Sequence, residues 1–384
     1  MALHFDRDEF AVRQARTIER MGELKLDAML LFAQESMYWL TGYETFGFCF
    51  FQAMVMCRDG RFVLLTRAPD LRQAQATSIV EDIRVWVDRG EADPAGQLKE
   101  TLFELDLLGQ RIGIETDTHG LTARHGKLVE DGLKSFAQLV EASDLVPALR
   151  AVKSPAEIVA VREAARIADR AYEAVLAEIR PGADEGHLLA VLQGTVFEEG
   201  GEYPGNDFIL GSGRDALLCR HRSGRRTLDA QDQLTIEFAG TWRRYHAALM
   251  RTVIVGAPTQ RHLALYAAAR EALAAVEADM RPGKTFGDVF DAHARVMDGR
   301  GLQPHRLNAC GYSLGARFAP SWMDRPMFYR GNKAAIVPGM VLFAHMILAD
   351  SETGTAMSLG RTYLTTDAEP EPLSALPLDL PVVA

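Results

Sequence analysis

Two stretches of this chain, about a hundred residues apart, repeat the same order of local patterns. An Ala-rich helical pattern ends in Ile179-Arg180-Pro181-Gly182-Ala183 and leads into a second helical pattern over 185–199. A helical pattern from 262 ends in Met280-Arg281-Pro282-Gly283-Lys284 and leads into another over 286–300. Proline cannot continue a helix, and glycine just past the last turn is a common stop. Each copy then runs into β-rich sequence, at 208–210 and 233–256 after the first and at 308–316 and 341–366 after the second. Helix, turn, helix and strands repeated in this way predict a pseudo-twofold α+β domain, with helices covering a curved antiparallel sheet.

Upstream, strand and helix patterns alternate. A helix is expected over 7–24 and strands at 27–32, 53–56 and 61–66, with Asp59-Gly60 as the turn of a hairpin. Helix, strand, helix and strand follow to residue 140, the order of an α/β domain. Ser154, Pro155 and Glu157 form the start signal of a long helix, with a capping box and proline at its first position. The predicted organisation is an α/β domain over 1–150, a catalytic domain over 151–368 and a tail over 369–384. The tail is acidic and proline-rich, so it is expected to be an extended arm or disordered.

The strand pair over 232–256 carries the first chemical signal. Leu234, Ile236 and Phe238 alternate with Gln233, Thr235 and Glu237, and Ala239-Gly240 breaks the run, as a hairpin would. Glu237 therefore faces away from its apolar neighbours, where a cavity could lie. The net charge of −10 argues against nucleic-acid binding. Four scattered cysteines without a CxxC pair read as reduced thiols, not as a zinc site or a disulfide framework. No leader pattern and no run of 18 apolar residues is present, so a cytoplasmic protein without a membrane partner is expected.

Several motifs together carry a resemblance. They are AVKSPAEIVAVREAARIAD from Ala151, both Arg-Pro-Gly turns, Gly211-Ser212-Gly213 with His221 downstream, the 232–256 hairpin, Gly311-Tyr312-Ser313-Leu314-Gly315, and Val337-Pro338-Gly339-Met340-Val341. As a set they resemble the pita-bread family of creatinase, prolidase, aminopeptidase P and methionine aminopeptidase, and the first 150 residues resemble the creatinase-type N-terminal domain. The hairpin and the loop Gly311–Asp324 are most similar to ectoine hydrolase.

The resemblance implies a homodimer in which one copy's N-terminal domain completes the other's site. It also implies that the five metal-ligand positions of the family's peptidases fall on Glu237, Ala248, Tyr312, His345 and Gly360. Alanine and glycine cannot ligate, and a catalytic zinc site normally needs three protein ligands. No metal or other cofactor is therefore expected. The expected reaction is metal-free hydrolysis of a C–N bond in a small amidine-like or cyclic nitrogenous solute.

Candidate catalytic residues are Glu237 as nucleophile or general base, His221 as proton shuttle, and His345. Candidate substrate contacts are Tyr245, His246, Tyr312 and Arg361, with Phe48 and Trp322 from an aromatic set that includes Phe46, Phe50 and Phe51. Arg361 stands where the family usually has an acid, which points to a more anionic ligand. The run Arg220–Arg226 reads as a solvated face. An Xaa-Pro dipeptidase, a ligand-binding member without turnover, and a lyase or isomerase are the alternative readings.

Overall fold

A computed structural model describes residues 3–221 and 223–384. Arg222, within the basic run noted above, lies outside the described residues. The chain divides into two compact units, Met1–Arg150 and Ala151–Ala384.

The N-terminal unit runs α1 (Arg7–Glu23), β1 (Ala28–Leu31), α2 (Gln34–Thr41), β2 (Ala53–Cys57), β3 (Phe62–Arg67), α3 (Leu71–Thr77), β4 (Asp82–Trp86), α4 (Pro94–Glu104), β5 (Arg111–Ile114), α5 (Ala123–Leu133), β6 (Gln138–Glu141) and α6 (Leu145–Arg150). Its strands form a mixed sheet in the order β4-β3-β2-β1-β5-β6. Alternation sends Ala28 and Leu30 into one hydrophobic cluster and Met29 and Leu31 into another, so β1 is buried on both faces. Helix α2 has no side-chain cap of its own. Glu115 replaces it, accepting the N–H groups of Phe32 and Ala33 at 2.9 and 2.8 Å and the Ser36 hydroxyl.

The C-terminal unit opens with α7 (Pro155–Glu178), α8 (Glu185–Glu198), β7 (Ile209–Ser212), β8 (Asp232–Trp242) and β9 (Tyr245–Val255). It repeats with α9 (Gln260–Asp279), α10 (Phe286–Gly299), β10 (Ala309–Ser313), β11 (Asp324–Tyr329), β12 (Val341–Asp350) and β13 (Thr355–Leu364). The predicted repeat holds in detail. Gly182 and Gly283 both take left-handed φ, at 84° and 87°. Asp184 and Thr285 then cap α8 and α10, and each makes an isolated bridge to a returning segment. The sheet order is β11-β10-β12-β13-β9-β8-β7, and the two hairpins meet where β9 pairs β13.

The hairpin turn lies further on than the sequence suggested. It falls at Arg243-Arg244, both with positive φ, and Glu202 accepts both of their N–H groups at 3.1 and 2.9 Å. Gly240 is instead mid-strand, paired with Ala247. It is glycine because α7 crosses there: an added Cβ would meet the Ala164 carbonyl oxygen at 2.0 Å.

The tail is an extended arm, the first of the two expectations, and it is docked on its own unit. β14 (Glu371–Pro372) pairs β13, and β15 (Val382–Val383) runs parallel to β9. Between them Asp169 of α7 accepts the Ser374 hydroxyl and the Ala375 N–H, and Tyr266 of α9 donates to the Leu378 carbonyl at 2.7 Å. Prolines bar a helix here, and the leucines at 373, 376, 378 and 380 find apolar partners in the unit.

Gly240→Ala is expected to lower stability by about 2–3 kcal/mol through overpacking of α7 on β8. Equilibrium denaturation of the variant beside the wild type measures it.

Candidate active site

Strand alternation decides which side chains share a face. On β8, Ile236, Phe238 and Gly240 face the helices, so Glu237 faces the other way. Glu237 pairs with Met250, Met250 with Gly360, and Gly360 with His345. These four residues form one row across β8, β9, β13 and β12 on the face away from α7 and α9. Phe343, two residues from His345, shares that face and pairs with Tyr312 of β10. The Tyr312, Phe343 and His345 rings lie 5.5–5.6 Å apart, centroid to centroid.

Glu237 is 8% exposed. Burial pushes its carboxyl up to about 7, while the Arg220 guanidinium and a hydrogen bond from Tyr312 pull the other way. Burial and the Glu237 charge hold the Tyr312 hydroxyl well above its usual range, so it remains a donor to Glu237. Its oxygen accepts the Trp322 indole N–H at 2.9 Å, which fixes the ring. Burial lowers His345 to about 3, with His293 and Arg220 acting in the same direction, so its imidazole is neutral at pH 7. Its Nδ1 has no partner among the described residues. The site thus joins a carboxyl poised near neutrality, a phenol donor, a neutral imidazole and a guanidinium.

Of the sequence-derived candidates, Glu237, Tyr312, Trp322 and His345 come together. Trp322 is 1% exposed and acts through Tyr312, not as the open wall of a cation box. His221 lies in the same loop as Arg220. Its ring sits between Gly211 and Gly224, and its buried Nε2, 3.8 Å from Asp215, has no hydrogen-bond partner among the described residues. Glu185 of α8 organises this loop, accepting the N–H groups of Ser212, Gly224 and Arg226 at 2.8, 3.0 and 3.2 Å.

Other candidates fall elsewhere. Tyr245 has the wrong parity: its hydroxyl donates to Glu157 at 2.6 Å under α7. Arg361 also faces the helices, 3.7 Å from Glu277 of α9, so it cannot read a ligand in this site. His246 is fully buried and lowered to about 3. It accepts the Gly205 N–H at 2.8 Å and sits 3.3 Å from the Gly315 carbonyl, tying two loops behind Trp322. Phe48 is half-buried on the turn Gly47–Cys49 of the N-terminal unit. The other aromatics do not form one box. Phe51 is core, Phe50 is covered by the Arg67 guanidinium at 3.9 Å, and Phe46 is 86% exposed.

Arg220, expected in a solvated run, is exposed, but sequence reading missed the reach of its charge into the site. Its charge acts on Glu237, Tyr312 and His345, and the one available signal was its place beside His221.

The donor set does not fit a two-metal centre. Ala248 and Gly360 offer nothing, and an added Cβ at Gly360 would meet the Phe343 ring at 2.7 Å. The Tyr312 hydroxyl is engaged by Glu237 and Trp322. No group of three or more His, Cys, Asp or Glu side chains suited to a metal occurs among the described residues. No helix among them is long and apolar enough to cross a membrane.

A repeated helix–helix–strand domain, following an α/β N-terminal unit in the chain, has the pita-bread architecture. Residues 159–367 match metallopeptidase family M24 and residues 13–152 match the creatinase/prolidase N-terminal domain. The chain belongs to the M24 family. It is 26% identical over 399 residues to an ectoine hydrolase from Halomonas elongata, covering 99% of this chain and 98% of that protein. It is 23% identical over 335 residues to an Xaa-Pro dipeptidase from Pyrococcus horikoshii, covering 85% and 89%. The solved dipeptidase PepE from Mycobacterium ulcerans shares the fold at TM-score 0.86 and 23% identity, over 99% of each chain.

Because Glu237 holds its proton to higher pH when folded, its contribution to stability is present below about pH 4.5 and is lost as pH rises through about 7. Glu237→Gln is therefore expected to stabilise the chain at pH 8, by on the order of 3 kcal/mol, and to change little at pH 4. Unfolding midpoints of both proteins across this range check it.

Proposed function

We propose that this M24-family hydrolase cleaves a C–N bond in a small amidine-like or cyclic nitrogenous solute without a metal ion. One observation carries the reading. Positions that would ligate metal hold Ala248 and Gly360, yet Glu237 persists as a buried carboxyl poised near pH 7 beside a phenol donor. The resemblance to an ectoine hydrolase along nearly the whole chain supports the same class of substrate.

In this mechanism the Glu237 carboxylate takes a proton from water as the water oxygen bonds to the substrate carbon. Arg220 stabilises the charge that develops on the adduct, while Tyr312 keeps its hydrogen bond to Glu237. The C–N bond then breaks, and the leaving nitrogen takes the proton, directly from Glu237 or through His221. Neutral His345 orients the substrate's N–H groups. Direct attack by Glu237 would give a covalent intermediate that water then releases. A second copy of the chain would bring Phe48 of its N-terminal unit to this site, making the working form a homodimer.

The test uses protein purified without chelator or metal-affinity tag, assayed for metal and then against ectoine, creatine, cyclic amidines and Xaa-Pro dipeptides by mass. The expected result is no stoichiometric metal, and turnover of a cyclic or amidine solute that chelators leave intact. The rate should rise with pH to a plateau above about 7, following Glu237 ionisation. Glu237→Gln should lower it by about 10³-fold or more. Stoichiometric metal with chelator-sensitive Xaa-Pro cleavage would replace this reading with a metallopeptidase. Ligand binding without turnover across the panel would replace it with a binding protein.

A further inference from the structure

The helix side of the C-terminal sheet contains two arginines amid apolar neighbours. Arg251 of β9 is 2% exposed, and the Arg361 side chain of β13 is 14% exposed. Leu359 pairs directly with Arg251, so Arg361, two residues on, is its diagonal neighbour on the same face. Tyr172 of α7 is 4% exposed and near enough for the Arg251 charge to act on its hydroxyl.

The hydrogen bonds here do not close. Arg251 Nη1 donates to the Met250 and Gly360 carbonyls at 2.9 and 2.6 Å. Arg251 Nη2, Arg361 Nε and the Tyr172 hydroxyl are buried and meet no acceptor among the described residues. The two nearby carboxylates are engaged. Asp169 accepts from Ser374 and Ala375, while Glu277 accepts the Tyr363 hydroxyl and stands 3.7 Å from Arg361 Nη2. An unmet buried donor costs about 1–3 kcal/mol. Three donors from three side chains exceed what one water can accept, since water also needs acceptors for its own protons. A species that only accepts suits the place.

We infer that Arg251, Arg361 and Tyr172 form a buried site for a halide ion, on the opposite side of the sheet from Glu237. The site has a mechanical role. Arg251 bridges the Met250 and Gly360 carbonyls, where the two hairpins join and directly behind the row that carries Glu237 and His345. An ion held by its second nitrogen fixes the guanidinium in that pose. The tail crosses from Asp169 on α7 to Tyr266 on α9 and straps the two helices that flank this place. The inference stands independently of the proposed reaction.

Crystals of the full chain grown in bromide in place of chloride test it by anomalous scattering. A bromide peak in contact with Arg251 Nη2, Arg361 Nε and the Tyr172 hydroxyl is the expected result. Ordered water there, or bromide on the surface only, would overturn it. In solution, chloride replacing gluconate at constant ionic strength should raise the unfolding midpoint saturably, by about 2 °C. Tyr172→Phe, which keeps the packing, should at least halve that rise. An equal chloride response in both proteins would also overturn the assignment.

Discussion

The C-terminal unit depends on one constraint, the strict alternation of side chains along β8, β9, β13 and β12. Those strands are long and paired without a slip, so every residue is committed to the helix side or the open side. Apolar residues such as Ile236, Leu249, Leu359 and Ala344 meet the helices. The intervening positions assemble the Glu237–Met250–Gly360–His345 row. A one-residue slip on any strand would exchange the site for the core.

That row also explains how a family fold built around metal ligands can carry other chemistry. Removing ligands at positions 248 and 360 leaves small residues, and Phe343 fills the space over Gly360. On the metal-free reading proposed above, burial would do work that a metal otherwise does, since it raises Glu237 into the range where a carboxyl exchanges protons at neutral pH. The same burial holds His345 neutral. From a loop that Glu185 ties down through three backbone N–H groups, Arg220 tempers the first effect and reinforces the second.

The two faces are linked through Arg251. Its guanidinium binds the carbonyls of Met250 and Gly360, the residues that join one hairpin to the other. Breaking that contact would loosen the floor of the site and leave a charge buried among helices, and truncating one partner of such a contact is costly. The C-terminal tail lies against the same helices because Asp169 holds its backbone and β9 accepts its last strand.

Much of this was legible in the sequence. The Arg-Pro-Gly turns, the capping box at Ser154 and the alternation through Glu237 depend on neighbours a few residues away, so they specified the repeat, the helix starts and the carboxyl at the centre. The short buried α2 and the strand β11, interrupted by Pro326, were not legible, because neither has a clear period. Residue type and the family resemblance placed Tyr245 and Arg361 in the site, and only the strand register assigned both to the helix side. Arg220 looked like one of several surface charges, and it is one, but the fold of its loop brings Glu237 within reach of its charge. Local pattern determined the elements and singled out the buried carboxyl of Glu237. Tertiary structure decided which groups surround it, because they come from β10, β12 and a loop, brought together only when the two hairpins join.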